Sequence, residues 1–185
     1  MEPRSDHRLL TAEEFFYEQP DERRSELIAG EVVREPPPAP EHGLLAVNVA
    51  HHLRRFLDVH RLGRVLAESG YVLRRGPDTV RGPDVSFISE QRWAVTRDRR
   101  RYFEGAPDLA VEVASPGDGR RKLAAKAREY FQAGARLVWV VWPGSRTVDV
   151  HRPGSPPATL HAADTLDGGD VLPGFALPVS RIFED

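Results

Sequence analysis

The sequence contains no cysteine among its 185 residues. Disulfide bonds, a thiol nucleophile and a cysteine-ligated zinc site are therefore excluded. The chain also lacks any run of about 18 apolar residues, the length that would span a bilayer. Its first residues, 1–4, do not begin the apolar stretch of a signal peptide. We therefore expect a cytoplasmic protein that does not associate with membranes.

Lysine is nearly absent as well. Only two of the 26 basic residues are lysine, Lys122 and Lys126, and the others are arginine. This bias indicates that lysine is kept where arginine would not serve, because an ammonium is a compact point charge whereas a guanidinium is planar and permanently protonated. The two lysines are four residues apart in a segment with helical periodicity, so they share one helix face. We therefore treat them as candidate catalytic cations.

Length and overall charge predict one domain without general basic character. The chain fits a single domain, 1–185, with 40% hydrophobic and 29% charged residues. A net charge of −2 means that any nucleic-acid surface has to be local. The candidates are the arginine-rich segments 97–101 and 120–122. A solvated surface is the alternative interpretation of both.

Two carboxylates interrupt apolar segments that are typical of short buried strands. Glu112 lies in the segment 109–114, Leu-Ala-Val-Glu-Val-Ala, and Asp84 begins the segment 84–88, Asp-Val-Ser-Phe-Ile. An ionised carboxylate is rarely buried without a partner, because it loses its hydration. A metal ion is one such partner. A solvent-facing strand face, or pairing with a nearby arginine, is the alternative.

The order of the predicted elements indicates an α/β fold. A long helix starts near His42 and has apolar residues at helical spacing, 45, 49, 53, 56 and 57. The lysine-bearing helix covers about 119–133, and a continuously apolar strand follows at 137–142. A strand, a helix and a strand between residues 108 and 142 predict a parallel crossover. We expect a mixed β-sheet flanked by helices.

The alternation of side chains along a strand places Glu112 beside a small residue. Ala110, Glu112 and Ala114 share one strand face, and Lys126 can reach from the following helix into the space beside Ala114. Two carboxylates and a lysine are the groups expected for metal-assisted phosphodiester hydrolysis. The carboxylates hold Mg²⁺, and the lysine orients the attacking water or neutralises developing charge.

These residues resemble a known pattern. The order Pro83-Asp84, then Val111-Glu112-Val113, then a helical lysine is similar to that of the PD-(D/E)xK, restriction-endonuclease-like superfamily. More narrowly, nearly the whole chain resembles the bacterial Uma two family of restriction-endonuclease-like proteins. The stretches that carry this resemblance are 26–33, 83–86, 105–116, 126–130, Gly134 and 138–141.

The resemblance implies a restriction-endonuclease-like fold and a Mg²⁺-dependent endonuclease that hydrolyses DNA, with Mn²⁺ as a substitute metal. It implies that Asp84 and Glu112 bind the metal and that Lys126 is the catalytic cation. Glu31 matches the family's early glutamate and is expected to assist as a further catalytic residue. Members of the superfamily are often dimers, so a homodimer is one expected assembly.

The chain departs from the wider superfamily at Ala114, where the usual pattern has lysine two residues after the glutamate. In the narrower family this lysine is displaced to the helix. Lys126 rather than Lys122 matches it, by its spacing to Tyr130.

Other residues and functions stay open at this point. Asp78 is expected to be a turn residue, and Asp108 lies four strand residues, about 13 Å, from Glu112. His42 can line the mouth of the site, although a histidine at a helix start is more often structural. A non-catalytic nucleic-acid-binding or interaction module on the same scaffold is the main alternative function, and a hydrolase of small phosphoesters is a third.

Overall fold

The computed structural model describes residues 8–17 and 24–184, so the N-terminal residues 1–4 considered above lie outside the described ranges. The helices of the described part are α1 (Ala12–Tyr17), α2 (Pro40–His60), α3 (Glu90–Val95), α4 (Arg120–Gln132) and a final 3₁₀ helix (Val179–Phe183). None of the helices in these ranges has the length and apolar character needed to span a bilayer.

The strands form two larger sheets and one antiparallel pair. The first sheet consists of β1 (Ser25–Ile28), β2 (Glu31–Arg34), β4 (Tyr71–Arg74), β5 (Thr79–Arg81) and β7 (Phe103–Glu104), in the order β2-β1-β5-β4-β7. The second consists of β3 (Gly63–Ala67), β6 (Val85–Ser89), β8 (Leu109–Val113), β9 (Leu137–Trp142), β10 (Thr147–His151) and β11 (Ala158–Leu160), in the order β11-β10-β9-β8-β6-β3. β12 (Thr165–Gly168) pairs with β13 (Leu172–Pro178).

The predicted mixed α/β fold is confirmed, with the difference that the strands divide between two sheets. β8 and β9 are parallel and are connected through α4, as the predicted crossover requires, whereas β6 is antiparallel to β8. β5 and β11–β13 are not predicted by periodicity. They are short or interrupted by glycine and proline.

Strand β8 is buried on both faces and separates two layers of the core. Leu109, Val111 and Val113 pack on the side of α2. Ala110 and Ala114 pack on the side of α4. The alternation predicted along this strand is therefore confirmed, and the face that carries Glu112 is the one covered by α4.

Helix α2 packs on the first of these layers through one apolar face. Its buried apolar residues recur at helical spacing, as predicted: Leu45, Val49, Leu53 and Leu57. Phe56 is half-buried and packs against the same layer. Pro40 starts the helix, where its missing N–H breaks no helical hydrogen bond. His42 is buried in the first turn of this helix.

We expect Leu53→Ala to lower the free energy of unfolding by about 2–5 kcal/mol, because it leaves a cavity in the core. Leu44→Ala is the matched control on the same helix. Leu53 is fully buried whereas Leu44 is 39% exposed, so the control should lose less than about 1 kcal/mol. Urea denaturation followed by circular dichroism measures both variants. Equal losses of unfolding free energy in the two variants would contradict the burial of Leu53 on the core face of α2.

Candidate active site

Asp84 and Glu112 come together because β6 and β8 pair antiparallel. The register pairs Val85 with Val111, and its continuation by one residue places Asp84 opposite Glu112. Directly opposed residues of an antiparallel pair point to the same face, with Cβ atoms about 5 Å apart. Both carboxylates are buried, and the Val113 N–H donates to Asp84 Oδ2 at 2.6 Å. The structure thus brings the two predicted carboxylates together.

Lys126 reaches the same place from α4. The buried face of this helix consists of Leu123, Lys126, Ala127 and Tyr130. The Lys126 ammonium lies 2.9 Å from Glu112 Oε2 and 3.0 Å from Glu26 Oε1, and the residue is only 8% exposed. Burial alone would lower the pKa of Lys126, but Glu112 and Glu26 raise it above its ordinary value. The amine is therefore an ammonium at neutral pH.

Glu112 is held by two donors and by the charges around it. Lys126 donates to Oε2, and the Tyr130 hydroxyl donates to Oε1 at 2.7 Å. Burial raises the pKa of Glu112 to about 7, with Lys126 opposing the rise and Asp84 and Glu26 adding to it. Burial and the two neighbouring carboxylates therefore outweigh the effect of Lys126 and Tyr130 on the pKa of Glu112.

Glu26, from the first sheet, completes a cluster with Asp84, Glu112 and Lys126. The sequence patterns do not single out Glu26. The antiparallel pairing of β1 with β5 places it across from Arg81, which donates to Glu26 Oε2 at 2.5 Å. Burial alone would raise the pKa of Glu26, but Lys126 and Arg81 lower it below its ordinary value. Glu26 is therefore an ionised carboxylate that connects β1 to α4.

Glu31 lies away from this cluster. It is exposed at the start of β2 and does not line the cleft that contains Asp84 and Glu112. The structure therefore brings Glu26, and not Glu31, into contact with Lys126, and the catalytic role of Glu31 stays a prediction. The two glutamates flank the same turn at Gly30, and no local pattern distinguishes them.

Asp84 has three partners in the described part of the chain. Its Oδ2 accepts the Val113 N–H, and its Oδ1 accepts from the Arg24 guanidinium and lies 3.1 Å from His42 Nε2. Burial alone would raise the pKa of Asp84, but His42, the Val113 N–H and Arg24 together lower it below its ordinary value. His42 thus contacts a predicted metal ligand directly.

These side chains line one cleft of about 500 Å³. One wall is the segment 33–39, which includes three consecutive prolines, and the opposite wall is the loop 115–118 with the first turns of α4. Proline fixes the backbone φ angle, so the first wall is stiff. The cleft gives a ligand access to Asp84, Glu112 and Lys126.

The two opposed carboxylates fit a hard divalent cation. Mg²⁺ prefers oxygen ligands and is commonly held by one or two carboxylates together with water and substrate phosphate. Each Glu112 oxygen has one protein donor, and so does Asp84 Oδ2, so both carboxylates keep acceptor capacity. Within the described residues, 8–17 and 24–184, no group of three or more His, Asp or Glu side chains is arranged to hold a metal ion. Asp84 and Glu112 are therefore the residues that would hold the ion.

The other candidate residues have structural partners. Lys122 is exposed and pairs with Asp118 at 2.7 Å. Asp108 Oδ2 accepts the Ser89 N–H at 2.8 Å. Asp78 accepts N–H groups from its own turn and from α1, in agreement with its expected place in a turn. Although the two lysines are four residues apart, only Lys126 reaches Glu112, because Lys122 lies in the first turn of α4 beside the 115–118 loop.

Comparison with known proteins gives a family and a structural neighbour. A family model described as "Uma2: putative restriction endonuclease" matches residues 12–180. No curated protein matches the chain. The crystal structure of a "putative nuclease belonging to DUF820" from Anabaena variabilis is 21% identical, covers 94% of this chain and 97% of its own, and superposes with a TM-score of 0.80. The predicted resemblance and the predicted fold class are thereby confirmed.

We expect Lys126→Met to lower the free energy of unfolding by about 3–5 kcal/mol at pH 8, because it leaves Glu26 and Glu112 buried without their shared cation. Lys122→Met is the matched control, since it removes the same group from an exposed ion pair, and it should lose less than about 1 kcal/mol. Urea denaturation measures both.

The deficit of Lys126→Met should shrink as the pH falls from 8 to 5. Without the ammonium, the folded-state pKa values of both carboxylates rise above their unfolded values, so the folded variant takes up protons that the unfolded chain does not. A deficit that stays constant over this pH range would contradict the contact between Lys126 and the two glutamates.

Proposed function

This chain belongs to the Uma2 family of restriction-endonuclease-like proteins, and from that premise we propose that it is a Mg²⁺-dependent endonuclease that hydrolyses phosphodiester bonds of DNA. One observation carries the proposal: Asp84, Glu112 and Lys126 converge in a solvent-accessible cleft. Their residue types are the ones that metal-assisted phosphodiester hydrolysis requires.

The roles of the residues follow from their contacts. Asp84 and Glu112 would hold the divalent cation, which supplies a polarised phosphoryl oxygen and a more acidic bound water when it is present. Lys126 is protonated and points at Glu112. It therefore acts by stabilising negative charge that develops on the phosphate, and not as a general base.

Glu26 and Tyr130 orient these groups. Glu26 Oε1 is a second carboxylate contact of the Lys126 ammonium beside Glu112, and Arg81 donates to the other oxygen of Glu26. Tyr130 donates to Glu112 and fixes the orientation of its carboxylate. Pre-organised groups of this kind lower the barrier because they need no reorganisation during the reaction.

The alternative function is a non-catalytic nucleic-acid-binding module on the same scaffold. The ion pair between Arg24 and Asp84 is the observation that favours it, because a guanidinium occupies an oxygen of a proposed metal ligand. Calorimetric titration with Mn²⁺ separates the two functions. Binding of the ion supports the nuclease, whereas DNA binding without metal binding supports the alternative.

We expect the protein to cleave plasmid DNA in the presence of Mg²⁺ or Mn²⁺, and Asp84→Asn and Glu112→Gln to reduce the rate by at least about 100-fold. Lys126→Arg should cause a comparable loss although it keeps the charge, because a planar guanidinium does not fit between two carboxylates at 2.9 and 3.0 Å. Cleavage rates measured on purified, folded variants test this. Cleavage that survives both carboxylate substitutions would exclude these residues as the nuclease site.

A second pair of variants tests which of the two early glutamates, Glu26 or Glu31, contributes to cleavage. Glu26→Gln should reduce cleavage by at least about tenfold, because it weakens the positioning of Lys126. Glu31→Gln, five residues away on the exposed start of β2, should cleave at the wild-type rate. Plasmid cleavage under identical conditions compares them. The reverse result would restore Glu31 to the role implied by its place in the sequence.

A further inference from the structure

The side chains of an arginine and a histidine contact the same oxygen of Asp84. Arg24 and His42 both contact Oδ1, whereas the Val113 N–H is the one donor to Oδ2 within residues 8–17 and 24–184. A carboxylate oxygen has two lone pairs, so Oδ1 has none left for a further ligand. A cation that uses Oδ1 therefore has to replace one of the two.

Arg24 is the partner that can leave. Its guanidinium is permanently charged, so at Asp84 it competes with any other cation for the same negative charge. Two further carboxylates, Glu35 and Glu68, lie 3.9 Å from other nitrogens of the same guanidinium. Arg24 also lines the cleft. It can therefore move off Asp84 towards existing acidic neighbours, without leaving its charge unpaired.

His42 is the partner that stays. Its ring is buried in the first turn of α2, where the helix backbone fixes its position, and its Nε2–H donates to Asp84 Oδ1. The other ring nitrogen, Nδ1, is buried and has no hydrogen-bond partner among the residues that the structure describes. A buried polar atom left unpaired destabilises a fold, so an apolar side chain would serve a purely structural position better.

We propose that Arg24 is an exchangeable counter-ion that leaves Asp84 Oδ1 when a divalent cation binds, whereas His42 stays and is the positioning residue of this metal ligand. The inference rests on the proposed metal-dependent function. It goes beyond that function because it assigns opposite effects on metal affinity to two residues that touch the same oxygen.

The experiment is calorimetric titration of the full-length protein with Mn²⁺ in the absence of DNA, together with the melting temperature of each metal-free variant. The variants are His42→Leu, His42→Gln, Arg24→Gln and Lys122→Gln. The glutamine at position 42 replaces the Nε2–H donor with an amide N–H. Lys122→Gln removes the same unit of charge from the cleft wall as Arg24→Gln, but from a residue that pairs with Asp118 and not with Asp84.

We expect His42→Leu to weaken Mn²⁺ binding by about 10-fold or more, the usual effect of removing a group that orients a metal ligand. Its melting temperature should stay close to that of the wild type, because the unpaired Nδ1 is removed together with the hydrogen bond. His42→Gln should restore most of the affinity. Arg24→Gln should bind Mn²⁺ at least about threefold more tightly than either the wild type or Lys122→Gln.

The outcomes separate this inference from the proposed function. If the wild type binds Mn²⁺ and His42→Leu binds it equally well, or if His42→Leu only lowers the melting temperature, the positioning role of His42 is wrong. If Arg24→Gln and Lys122→Gln tighten binding equally, general charge explains the effect and the exchange is wrong. In these cases the metal site itself stands. If the wild type binds no Mn²⁺, both the metal site and the exchange are rejected.

Discussion

The burial of one ammonium group between two carboxylates holds the site together. Lys126 contacts Glu112 on β8 and Glu26 on β1, so a single side chain of α4 connects both large sheets. Removing such ions from water costs several kcal/mol each, and only good geometry with complete hydrogen bonding offsets this loss. Tyr130 donates to Glu112, and Arg81 and the Gly82 N–H donate to Glu26. The result is a polar network that lies beside an apolar layer and borders the cleft.

A network of this kind is an inefficient source of stability. Well-packed apolar side chains of similar volume often give an equally stable or more stable fold. Here a third carboxylate, Asp84, lies beside the network and raises the pKa of Glu112 further. Concentrated charge with a perturbed pKa in an accessible cleft is typical of functional sites, where charge is placed for chemistry at the expense of stability. The preference for lysine at position 126, in a chain dominated by arginine, agrees with this interpretation.

Features of the site that depend on local contacts could be predicted from the sequence, whereas features that depend on contacts between distant segments could not. Alternation along β8 and the helical spacing of α4 are local, and together with the apolar segment after Asp84 they predicted that Asp84, Glu112 and Lys126 converge. Glu26 could not be distinguished from Glu31 in this way. Its place is set by the pairing of β1 with β5, which brings Arg81 beside it across more than fifty residues of chain. The division into two sheets depends on the same non-local pairings.

The charge of the cleft limits how it can bind nucleic acid. Its lining contains equal numbers of acidic residues and of lysines and arginines: Glu26, Glu35, Asp84, Glu112 and Asp118 against Arg24, Arg34, Arg81, Lys122 and Lys126. Nucleic-acid affinity comes largely from positive charge that neutralises phosphates, so a balanced cleft contributes little of it.

Of the two arginine-rich segments, only 120–122 adjoins this cleft, through Lys122. The segment 97–101 follows α3, which begins at the end of β6 opposite to Asp84, and it does not line the cleft. A divalent cation held by Asp84 and Glu112 would give the balanced cleft a net positive charge. On the proposed function, attraction of a phosphate backbone to this site would therefore depend on occupancy by the metal, and a nucleic acid bound without metal would contact arginines outside the cleft.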